Sequence, residues 1–143
     1  NHTFKEKHLT ARHRASWIFS NSDMTAEEIR DSEDIEFYRE EIQAIFDKYK
    51  DNIVAFNRPF DADFLESRGF DLGEEMGDPM RLSTDYFAIP HKNGRGKKWP
   101  SVQNCVDILF PDEEIIEAHR GFDDANLEAR VIYELIKLGV YKG

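Results

Sequence analysis

Four consecutive apolar residues, Ile53-Val54-Ala55-Phe56, lie between two stretches with helical periodicity. Asn52 ends the pattern before them, and Asn57-Arg58-Pro59 turns the chain after them. A short apolar run with β-branched members, bounded by such breakers, reads as a buried strand. A buried strand between helices predicts an α/β domain, with a mixed sheet flanked by helices. Few other segments read as strands. Phe4 to His8 has the pattern of a short edge strand, and the first strands of a complete sheet are expected to be missing.

The helical segments are more explicit. Thr25-Ala26-Glu27-Glu28 has the form of a capping box and opens a short helix. After Ser32, the residues Ile35, Tyr38, Ile42, Ile45 and Tyr49 recur at helical spacing as one apolar stripe, which reads as core packing. Phe60 to Arg68 resumes a helical pattern, and Gly69 is placed to end it. Residues 71–80 read as an acidic loop, and Tyr86 to Ile89 as either helical or extended. Ser101 starts a helix with Val102, Cys105, Val106 and Leu109 inward. Pro111 to Glu117 connects it to a long helix from Asp123 onward. Leu127, Val131, Leu135 and Leu138 form the apolar face of that helix, and Gly139 follows its last turn.

The chain has 143 residues, a length suited to a single domain with its own core. Its one cysteine, Cys105, excludes an intrachain disulfide and a cysteine-based zinc site, which fits a reducing, cytoplasmic setting. No apolar run approaches the roughly 20 residues needed to cross a bilayer. Asn1 to Thr10 is polar and charged, unlike a signal peptide. The formal net charge of −10 argues against a passive nucleic-acid coat protein, which would be basic. It leaves room for a metal-dependent nuclease, whose carboxylates are offset by cations.

Two segments carry candidate chemistry. In Phe56-Asn57-Arg58-Pro59-Phe60-Asp61, Asp61 falls at the opening of a helix, just past the expected strand. It serves there either as a ligand or as a simple complement to the helix dipole. In His119-Arg120-Gly121-Phe122-Asp123-Asp124-Ala125, a histidine precedes an acidic helix start by a few residues. One such residue can activate a water while the other holds a metal. The plainer reading is a helix start favoured by two aspartates beside an exposed loop histidine.

Taken together, these segments resemble the DnaQ-like (DEDDh) branch of the 3′–5′ exonucleases, in the RNase H-like superfamily. Asn57 to Leu65 is similar to that family's second motif, and His119 to Ala125 to its third, His-Arg-x-x-x-Asp-Ala. Ser101 to Cys105, Asp85 and Met24 to Ile29 fall where further family segments lie. The chain departs from the pattern at Phe56, where the family usually has histidine. It also has no counterpart of the first motif, Asp-x-Glu on a strand. Asp34-Ile35-Glu36 has that spacing but lies in a helical pattern and is not accepted as the replacement.

The resemblance implies a two-metal hydrolysis that releases nucleoside 5′-monophosphates from DNA or RNA 3′ ends. Asp61 and Asp124 would be ligands for Mg2+ or Mn2+, and His119 would be the general base. Asn57 and Phe60 would contact nucleic acid. Without an Asp-x-Glu pair the chain alone is expected to be weak or inactive. The alternative is a degenerate module of the same fold that binds nucleic acid, or a DNA polymerase, without cleaving. Finally, His91, Lys92, Arg95, Lys97 and Lys98 cluster beside Trp99. Two readings are open for this cluster: Lys97 and Lys98 guide a single strand, or the loop is simply solvated.

Overall fold

The computed structural model describes residues 4–5, 16–116 and 119–143. The expected strand at Phe4 to His8 falls largely outside these residues. Within them the chain is helical: α1 (Trp17–Asn21), α2 (Ala26–Asp31), a 3-10 turn (Ile35–Tyr38), α3 (Arg39–Lys48), α4 (Arg58–Glu66), α5 (Pro79–Leu82), α6 (Thr84–Phe87), α7 (Val102–Leu109) and α8 (Gly121–Lys137).

The expected α/β, RNase H-like architecture is overturned. No β-ladder forms among the described residues, and the one bridge, Pro90 with Lys97, is isolated. The segment 53–56 shows why an apolar run is not yet a strand. It has the alternation of one: Val54 and Phe56 turn to one cluster of core residues, while Ile53 packs on another. What it lacks among the described residues is a neighbouring strand to pair with, and pairing defines a sheet. Helices, not strands, supply its cover.

The larger cluster lies between α7 and α8. Cys105, Val106, Val131 and Leu135 are fully or almost fully buried there, with Phe56, Val102, Leu127, Ile132 and Tyr141 around them. Each aliphatic side chain buried this way stabilises the fold by about 1.5–3 kcal/mol relative to exposure. Val131 and Leu135 are one helical turn apart, so a single face of α8 supplies both. Burial also pushes the Cys105 thiol up to about 12, so it stays protonated and inert. The smaller cluster gathers Ala62, Phe70 and Leu72 under Ile35, Ile42, Phe46, Ile53 and Leu65.

Several helix boundaries follow the local chemistry. The Thr25 side chain accepts a bond from the Glu28 N–H and starts α2. Ser101 and Asn104 form a reciprocal capping box at α7. Gly69 and Gly139 take positive φ just past α4 and α8, where a Cβ would be strained. The stripe expected on α3 is displaced. The 3-10 turn changes the angle per residue, so Ile42 and Phe46 face the core while Ile45 and Tyr49 stay about half exposed. On α8 the last expected core residue, Leu138, lies outside, and Ile132 takes an inward place instead. Among the described residues no helix is long and apolar enough to cross a membrane.

Candidate functional site

The starts of α4 and α8 open onto one cleft of about 1050 Å³. Asn57, Phe60 and Asp61 line it from the α4 side, and His119 and Asp124 from the α8 side. Trp17, Trp99 and Met80 contribute further wall. Residues far apart in the chain therefore converge, because segment 53–56 joins the two clusters: Val54 and Phe56 pack with α8, while Ile53 packs with α4.

Both helices are approached through a residue in the left-handed region. Asn57 has φ 62° and His119 has φ 56°. Asparagine and histidine are among the few non-glycine residues enriched in this region. Each is held by an aspartate. The Asn57 N–H donates to Asp78 Oδ1 at 3.1 Å, and the same oxygen accepts the Met80 N–H at 2.9 Å. The His119 N–H donates to Asp124 Oδ1 at 3.0 Å. The His119 ring meets Trp17 edge-on, with centroids 4.6 Å apart.

Asp61 is different. It remains exposed as a residue, yet the cleft wall strips water from its carboxyl, and this desolvation raises its pKa above the ordinary 3.8. No cationic side chain among the described residues offsets the effect. A bound cation would, so a carboxylate placed this way suits a positively charged ligand.

Sequence reasoning missed Asp78 and Glu128. Asp78 is buried, and its second oxygen has no hydrogen bond among the described residues, although Arg81 lies 3.7 Å from it. Glu128 lines the cleft and accepts the Phe56 N–H at 3.2 Å. Its signal was present in the sequence, since it stands four residues after Asp124 on one helix face. Asp78 had no comparable signal, because its partners are backbone groups brought to it by the fold.

The basic loop does not reach the cleft through its lysines. Lys97 pairs with Asp85 at 2.8 Å, and Lys98 donates to Asn104 Oδ1 at 2.6 Å. Trp99 is the part of that segment that lines the cleft, with the Arg81 guanidinium 5.1 Å from its ring centroid. Arg120 clasps the segment before the cleft, pairing with Asp23 and, at 3.0 Å, with Glu28.

Among the described residues no three His, Cys, Asp or Glu side chains gather closely enough to hold a metal ion. A magnesium site does not require three, since the ion commonly takes one or two carboxylates, substrate phosphate and water. Asp61, on the cleft wall and with no offsetting cation among the described residues, fits that donor set, and Asp124 fits it through the oxygen not engaged by His119. The chain matches no protein-family model, no curated protein and no solved structure.

Proposed function

We propose that this chain acts on nucleic-acid 3′ ends as a metal-dependent 3′–5′ exonuclease, weak by itself for want of an Asp-x-Glu pair. The observation that supports this most is the convergence of Asn57, Phe60, Asp61, His119 and Asp124 on one cleft. These are the residues of the two motifs that carry the resemblance.

In this reading Asp61 and Asp124 hold Mg2+ or Mn2+, which when bound neutralises phosphate charge and polarises the phosphorus–oxygen bonds. The chain's own groups do the rest. His119 accepts a proton from the attacking water through a ring nitrogen, and its backbone bond to Asp124 fixes where that ring starts. Trp17 packs against the ring and limits its rotation. Phe60, about three-quarters exposed beside Asp61, offers an apolar surface to a terminal sugar or base. The exposed indole of Trp99 offers a second.

The test is release of nucleoside 5′-monophosphates from a single-stranded oligonucleotide in Mn2+, using DNA and RNA separately. His119→Ala is expected to reduce the rate by about 10²–10⁴-fold, the usual contribution of a general base. Asp61→Asn is expected to abolish the metal-dependent release of product. A wild-type chain that gives no product in either substrate would sink the catalytic reading.

One observation favours a second reading. With no three-ligand group among the described residues, the cleft also suits a module that holds a 3′ end, or a polymerase partner, without cleaving it. Oligonucleotide binding that persists in EDTA and is lost in Phe60→Ala, with no product formed, would identify this case.

A further inference from the structure

On the face of α8 beside segment 53–56 runs an apolar groove of about 320 Å³. Val54, Ala125, Ala129, Ile132, Tyr133 and Ile136 line it. Tyr133 and Ile136 are more than half exposed, at 62% and 52%. Beside it, the N–H and C=O groups of Ile53, Val54 and Ala55 find no hydrogen-bond partner among the described residues. These three residues are half-buried. Main-chain groups left without a protein partner along an extended segment are a template for pairing with another strand.

We propose that this edge and groove bind an extended strand from a partner protein by β-augmentation. The unpaired groups call for main-chain donors and acceptors spaced as in a strand, which only an extended polypeptide supplies. The length agrees. Ala125 to Ile136 covers about 16 Å of helix at 1.5 Å per residue, the span of roughly five strand residues. Alternate side chains of such a strand would fall on the groove, so its inward positions are apolar and its outward ones polar. The chain carries a net charge of −10, and basic residues flanking the strand complement it.

The probe is a labelled peptide, acetyl-Lys-Val-Thr-Val-Thr-Val-Lys-amide, followed by fluorescence anisotropy and by amide hydrogen exchange of the full chain. Binding is expected to slow exchange at Ile53, Val54 and Ala55 by about tenfold or more. Ile136→Lys and Ala129→Arg alter groove positions and are expected to weaken binding at least about tenfold while leaving the thermal midpoint unchanged. Replacing the central valine of the peptide with proline, which removes its N–H, should weaken binding similarly. Absence of binding at about 1 mM peptide would overturn the proposal. So would binding indifferent to both variants. A peptide-free chain that sediments as a dimer with these amides already protected would assign the edge to a second copy and overturn it as well.

Discussion

The two helix starts that face each other across the cleft share a plan and differ in how it is used. Each follows a residue with positive φ, and each carries an aspartate in its first turn, where the helix dipole favours negative charge. At α8 the structure is self-contained. Asp124 bonds back to His119, and Arg120 is clasped from outside by Asp23 and Glu28. At α4 the turn is held by a distant residue, Asp78, and Asp61 is left with a desolvated carboxyl and no offsetting cation among the described residues. The same position relative to a helix thus commits one carboxylate oxygen to local structure in one case and leaves a desolvated carboxyl without an offsetting cation among the described residues in the other.

Breaking the external clamp should have the largest effect. Asp78→Ala strands the Asn57 and Met80 N–H groups in a buried setting and is expected to cost about 3 kcal/mol in chemical denaturation. Asp78→Asn keeps the oxygen acceptor and should cost clearly less. Asp124→Ala removes the bond from His119 and the dipole complement together, and is expected to cost about 1–2 kcal/mol. A smaller loss than that of Asp78→Ala would support the view that α8 is held locally and α4 from a distance.

Arg120→Ala addresses the outer clasp. No residue of α1 or α2 is buried, so Arg120 is a main tie between that segment and the cleft. Limited proteolysis between Trp17 and Asp31 should accelerate several-fold while the global midpoint moves little.

Asp61→Asn should have the smallest effect on stability, within about 0.5 kcal/mol. Its sign depends on pH. A carboxyl whose folded pKa is raised binds its proton more tightly in the folded chain. Its ionisation therefore opposes folding, and wild-type stability falls as pH rises from 3.8 through the folded value. The amide of the variant cannot ionise, so the variant should match the wild type in acid and exceed it slightly at neutral pH. A wild type that gains on the variant as pH rises would show Asp61 to be paired, and the contrast between the two helix starts would fail.

The helices were largely legible from local chemistry. Ser101, Thr25, Gly69 and Gly139 mark boundaries because caps and positive-φ turns act on neighbouring residues. Cys105, Val106, Val131 and Leu135 were legible as core through helical period alone. The true conformation at 53–56 was not, because the same apolar alternation arises wherever a segment is wedged between two helical clusters. The partners of the basic-loop lysines were not legible for a related reason. Charge clustering along the chain does not say which carboxylate or amide each cation will meet, and Asp85 and Asn104 took Lys97 and Lys98.

The candidate site divides along the same line. The residues Asn57, Phe60, Asp61, His119 and Asp124 were identifiable from the chain alone, because motif spacing records residue type and order. Their meeting in one cleft, the clamp from Asp78, the presence of Glu128 and the edge at 53–55, unpaired among the described residues, belonged to tertiary structure. Local sequence determines what neighbouring backbone groups will accept. Which distant group satisfies them, and which is left for something else to satisfy, depends on packing between segments that no local pattern contains.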